Sequence, residues 1–106
     1  MIFEPLLESA ERGELILVDG GFCHWHLRRD GQLTIREIIV LPERQRQGIG
    51  YAMLAQLKRT PGARSIFAKC PADLPSNAWY KAFGFIEEGI ETTSSGRRLR
   101  LWRLEL

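Results

Sequence analysis

Residues 45 to 50, QRQGIG, hold the densest chemistry in the chain: Gln45, Arg46 and Gln47, then two glycines flanking Ile49. A helix-like run, YAMLAQLK, follows at once. A glycine-containing loop that opens a helix presents unpaired backbone N–H groups and the positive end of the helix dipole. Together these make an anion cradle. Gly48 and Gly50 leave out Cβ atoms where a phosphate must approach the backbone, and Gln45, Arg46 and Gln47 add donors. A plain tight turn from strand to helix would use the same residues, so this stretch alone leaves both readings open. Two phosphate motifs are excluded: G-x-x-x-x-G-K-[ST] is absent, and Met53 stands where G-x-G-x-x-G needs its third glycine.

The elements that must position this loop follow from patterning. In EPLLESAER, Leu6, Leu7 and Ala10 fall at helical spacing, with Pro5 in the first turn and Gly13 as a stop. ELILV reads as a buried strand, and Asp19-Gly20-Gly21 as a hairpin turn. FCHWHLRR alternates Phe22, His24, His26 and Arg28 against Cys23, Trp25 and Leu27. Asp30-Gly31 turns the chain again into QLTIREIIVL, which starts alternating and ends solidly apolar. An antiparallel three-stranded meander results. Ile49, Met53, Leu54 and Leu57 then share one helical stripe, predicting a helix over about residues 48 to 59 that Thr60-Pro61-Gly62 ends. SIFAKC is a strand stopped by Pro71; SNAWYKAF is a short helix with Ser76 as N-cap and Gly84 beyond its end. FIEEGIET and RRLRLWRLEL close the chain as two strands around TSSGR.

Bulk properties bound the rest. A chain of 106 residues with 44% hydrophobic and 26% charged composition is expected to form one globular domain over residues 1–106. Fifteen basic against thirteen acidic residues, a net charge of +2, do not point to nucleic acid as the main partner. The opening MIFEPLLESAERGELILV lacks a small-residue cleavage site, and no apolar run approaches the roughly 20 residues of a membrane helix. A cytoplasmic location is expected, with Cys23 and Cys70 as reduced thiols.

With the elements in place, EIIVLPERQRQGIGYAML resembles the cofactor motif of the GNAT superfamily of N-acetyltransferases, [Q/R]-x-x-G-x-[G/A], through Gln45, Gly48 and Gly50. NAWYKAFGF resembles that family's second motif, a tyrosine followed four residues later by Gly-Phe, through Tyr80, Gly84 and Phe85. One strand separates the two motifs, as in the family, and the resemblance covers about residues 33 to 86. It implies an α/β protein with an α+β mixed sheet, the GNAT-like acyl-CoA N-acyltransferase fold in the order α-β-β-β-α-β-α-β-β.

The resemblance also implies a mechanism. Acetyl-CoA, the cosubstrate, would lie between two parallel strands that splay apart, REIIVL and SIFAKC. Its pyrophosphate would sit on the amides of Arg46, Gln47, Gly48, Ile49, Gly50 and Tyr51. Its pantetheine would pair with the backbone near Ile39 and Val40, and an N–H near Val40 or Leu41 would hold the developing oxyanion. A lysine-like ammonium, with a pKa of about 10.4, must lose a proton before it attacks. Glu37 stands where many members carry the base, acting through water; a cross-strand partner of an arginine, or a solvated strand residue, is the alternative. Tyr80 stands at the position of the acid that serves the departing thiolate, against the alternative of a half-buried helix aromatic.

The chain departs from the family where Asp73 replaces a cofactor-contacting asparagine, for which Asn77 could substitute from the helix start. Members usually have two helices before the meander; room for one implies an acceptor pocket that is open, suited to a protein, or completed by a second subunit. Cys23, His24 and His26 lack a further ligand at metal-binding spacing, so no metal is expected and the histidines read as acceptor-facing or surface residues. Cys70 reads as a structural thiol. Arg97, Arg98, Arg100 and Arg103 fit an edge or near-edge strand that resists pairing, or an acidic or nucleic-acid partner. The expected function is acetyl transfer from acetyl-CoA to a primary amine, whether a small amine or a protein lysine or N-terminus, by direct attack in a ternary complex. The alternatives are an inactive GNAT-fold protein that binds CoA or nucleic acid, and a phage-type modifier of a host protein or base.

Overall fold

The structure is a computed structural model and describes residues 13 to 106; the helix expected over EPLLESAER lies outside them. Strands β1 (Leu15–Val18) and β2 (Gly21–Leu27) are joined by the Asp19-Gly20 turn, where Gly20 takes a φ of 92°. Asp30 shapes the next turn by accepting the Gln32 amide at 3.0 Å on its side chain, and β3 (Gln32–Val40) follows. A short 3-10 turn over Pro42–Arg44 leads to helix α1 (Ile49–Lys58), whose stripe of Met53, Leu54 and Leu57 is buried. Then come β4 (Ser65–Pro71), α2 (Ser76–Ala82), β5 (Ile86–Thr92) and β6 (Arg98–Glu105). The six strands form one mixed sheet in the order β1-β2-β3-β4-β6-β5, with β3 and β4 its parallel pair. This is the expected element order over the described residues.

Two local expectations change. Ser76 does not cap α2: Pro75 occupies the cap position, and the Ser76 hydroxyl lies 3.2 Å from the Cys70 sulfur. The arginine-rich strand β6 is the near-edge alternative, one in from β5, and two of its arginines meet β5 carboxylates rather than resisting pairing, Arg103 with Glu88 at 2.9 Å and Arg100 with Glu87 at 3.6 Å.

A β-bulge in β3 decides which way its side chains face. Trp25 lies opposite Ile35 and His24 opposite Glu37, so Arg36 is the extra residue. Leu33 and Ile35 point into the core. In a regular strand Glu37 would join them, two residues on. The bulge instead places Ile38 and Val40 on the core face and leaves Glu37 exposed on the other.

Both described helices pack on that one core face. Gly21 has Ile49 and Met53 of α1 against it, while Asn77 of α2 accepts the Trp102 indole N–H at 2.9 Å and donates to Pro71 O and Leu74 O. Leu33, Leu57, Ile66 and Cys23 are fully buried between the layers. Burial pushes the Cys23 thiol up to about 12. Its unfolded value is about 8.5, so the neutral thiol's contribution is complete below that pH and is lost as pH rises toward 12. The melting temperature should therefore fall between pH 9 and pH 11, and Cys23→Ala should flatten the decline; equal slopes would place the alkaline sensitivity elsewhere. No helix among the described residues is long and apolar enough to cross a membrane.

Candidate active site

The parallel pairing of β3 with β4 stops at Ile35 opposite Ala68. Beyond that point β3 continues to Val40 beside β2, and β4 continues to Pro71 beside β6. The strands therefore part. A cleft of about 600 Å³ opens there, within the range of small-molecule sites. Ile38 and Val40 line it from β3, Ile49 and Gly50 from α1, and Trp79 and Tyr80 from α2.

Strand parity shows which backbone groups of β3 face the cleft. Leu41 donates its amide to Gly20 O at 2.8 Å. Opposed residues of an antiparallel pair alternate between bonded and non-bonded, so Ile39 also turns its backbone to β2, whereas Ile38 and Val40 turn theirs to the gap. Of the three residues expected to offer backbone groups, Val40 does so, and Ile38 joins it. Ile39 also lines the cleft, although its backbone turns to β2. Leu41 lies outside the lining, its amide already bonded.

At the mouth, the loop before α1 exposes its amides. Arg46 at φ 65° and Gly48 at φ 81° are both left-handed, a local geometry that turns successive N–H groups to one side. Among the described residues no acceptor engages the amides of residues 46 to 51, and no side chain caps α1. The flanking side chains behave differently from one another. Gln45 donates to Val40 O at 3.2 Å, Gln47 accepts from Arg44 at 2.9 Å, and Arg46 lines the cleft with no ion pair among the described residues. Gln45, Gly48 and Tyr51 are in the lining; Gln47 is not.

Gly50 has a steric reason of its own. A Cβ there would lie 3.1 Å from the Trp79 indole nitrogen and 3.3 Å from its ring. Thus α1 and α2 meet across the cleft through a contact only glycine leaves unstrained. Trp79 was not singled out by sequence reasoning, although its i, i+4 pairing with Phe83, rings 4.8 Å apart, is a helix-face signal that continues the Tyr80 surface.

Tyr80 is 4% exposed and is held by a stack on Trp102 at 6.2 Å and an edge contact with Phe85 at 5.2 Å. Burial, then the neighbouring Cys70 and Cys23 thiols, raise its phenol well above its ordinary range. It is therefore a neutral hydrogen-bond donor throughout the neutral range. Glu37 does not line the cleft. It lies opposite His24 on the outer face, and forms no ion pair among the described residues. Asn77, expected near the cofactor, uses both amide hydrogens and its oxygen in the bonds that lock α2 to β4 and β6, and is not in the lining.

The family model described as "Acetyltransferase (GNAT) domain" matches residues 8–87. The chain belongs to the GNAT acetyltransferase family, whose acetyl donor is acetyl-CoA. Solved structures agree with this. A GNAT-family acetyltransferase from Bacillus cereus ATCC 10987 superposes with a TM-score of 0.79 at 20% identity, over 94% of this chain and 75% of that one. The ribosomal-protein-S18-alanine N-acetyltransferase from Escherichia coli gives 0.65 at 28% identity, over 81% and 61%. A candidate streptothricin acetyltransferase from Bacillus anthracis, solved with acetyl coenzyme A, gives 0.73 at 18% identity, over 82% and 56%. The chain thus spans less than two thirds of the length of the latter two. No curated protein sequence matches it.

Proposed function

We propose that this chain transfers the acetyl group of acetyl-CoA to a primary amine by direct attack in a ternary complex. One observation carries the reading: the parted strands, the loop before α1 with its unengaged amides and Tyr80 border a single cleft. Those amides suit a pyrophosphate. The inward backbone of Ile38 and Val40 suits an extended amide chain paired as an added strand, and the Val40 N–H can donate to the carbonyl oxygen as charge develops there.

Proton traffic then divides between two residues. Glu37, exposed on the outer face beside the gap, accepts the amine's proton through water, so that the nitrogen lone pair forms the new C–N bond. The C–S bond breaks as the carbonyl re-forms. Tyr80 donates a hydrogen bond to the departing sulfur, and its raised pKa makes it a stabiliser of the thiolate rather than a full proton donor. As the amide forms the nitrogen loses its second proton to water; one of the two protons ends on the departing CoA sulfur by way of solvent and the other in bulk solvent, and CoA and the N-acetyl amine leave.

Melting with millimolar acetyl-CoA tests the donor, and mass spectrometry for acetyl gain on a panel of amines and peptides tests the transfer. Acetyl-CoA should raise the melting temperature while adenosine and cysteamine do not. Absence of any shift would falsify the reading. Glu37→Gln should lower kcat/KM by about 10²-fold near neutral pH; an unaltered rate would assign the base elsewhere.

A further inference from the structure

The sheet face that neither α1 nor α2 covers carries an ordered apolar row. Leu17 lies opposite Phe22, and Phe22 opposite Ile39, so three apolar side chains stand side by side across β1, β2 and β3. The next row holds Leu15, His24 and Glu37. Leu17 is 73% exposed, Leu41 45% and Ile39 40%, a contiguous aliphatic surface rather than scattered residues.

Two facts tie this surface to the site. Ile39 belongs to both, since it lines the cleft where the strands part and forms the inner end of the row. Glu37 flanks that end as an exposed carboxylate with no ion pair among the described residues. A cationic amine drawn to Glu37 therefore has aliphatic side chains beside it and no lone acid further along the row. Strands are spaced about 4.8 Å apart, so Phe22 lies about one spacing from β3, within reach of a group attached near the nitrogen, and Leu17 about two, where its side chain meets the far end of that group.

The geometry points to an acceptor amine that bears an aromatic or branched aliphatic group close to its nitrogen, seated on Leu17, Phe22 and Ile39. This rests on the acetyl-transfer reading of the cleft. A polyamine or an amine surrounded by charge would place further cations over apolar side chains and lose their hydration without a partner.

The test compares phenethylamine and a peptide beginning with leucine against spermidine and a peptide beginning with glycine, all with acetyl-CoA as donor. The apolar acceptors should show kcat/KM higher by about 10-fold or more. Leu17→Ser should reduce that preference by about 10-fold while the acetyl-CoA-dependent rise in melting temperature is unchanged. The exposure of Leu17 makes a folding defect separable, since melting without ligand would reveal it, and Leu41→Ser provides a second variant at the same surface. Equal or better turnover of spermidine, or selectivity indifferent to Leu17→Ser and Leu41→Ser, overturns the acceptor class alone. Acetyl transfer to no amine overturns it together with the reading of the cleft.

Discussion

Gly50→Val will abolish most of the acetyl-CoA-dependent stabilisation of this protein. A ligand present at a hundred times its Kd stabilises the native state by about 2.7 kcal/mol, which for a domain of about this size is a rise of about 10 °C or more. The valine Cβ would lie 3.1 Å from the Trp79 indole nitrogen, and its methyls must displace the indole from the cleft wall or close the gap between α1 and α2. Either movement alters the first turn of α1, on which the free amides depend. Gly48→Ala acts differently: its Cβ meets nothing within 4 Å, but the φ of 81° strains any L-residue by about 1 kcal/mol and re-aims the loop. The expected order of residual thermal shift is wild type, Gly48→Ala, then Gly50→Val. A full shift in both variants would mean that the loop is only a turn.

Tyr80→Phe should lower kcat by about 10²-fold or more, with the KM for acetyl-CoA nearly unchanged. The phenylalanine keeps the ring contacts with Trp102 and Phe85, so unfolding free energy should change by less than about 1 kcal/mol. What is lost is a hydrogen bond to a sulfur that carries charge only as the C–S bond breaks, and an interaction confined to the transition state appears in kcat. Because burial holds the phenol neutral, its ionisation should contribute no alkaline limb to the rate profile below about pH 10. Wild-type rates in Tyr80→Phe would leave the thiolate to solvent.

Much of this organisation can be read from the chain. The stripe of Met53, Leu54 and Leu57 places a helix over about residues 48 to 59, and the helix found is Ile49–Lys58. Asp-Gly turns place the meander, because the αL conformation is a local property of glycine. The two motifs around Gly48 and Tyr80 identify the family that the domain match then establishes. The partners of the Asn77 and Gln47 side chains are not legible in the chain, for a common reason. A polar side chain near a site has the same identity whether it faces a ligand or a neighbouring carbonyl, and only the packed neighbours, Pro71, Leu74 and Trp102 for Asn77 and Arg44 for Gln47, decide between them.

By itself, the sequence determined the order and type of the described elements, the turn chemistry and the family, since periodicity, capping and glycine conformation act over a few residues. The tertiary structure decided how far β3 and β4 pair, the turn of Ile38 and Val40 toward the gap, and the side of the sheet on which Glu37 stands. All three depend on the single extra residue at Arg36 and on β3 choosing β2 while β4 chooses β6. Alternation from Leu33 and Ile35 carries Glu37 into the core, and only a cross-strand register, formed between residues distant in the chain, reverses it.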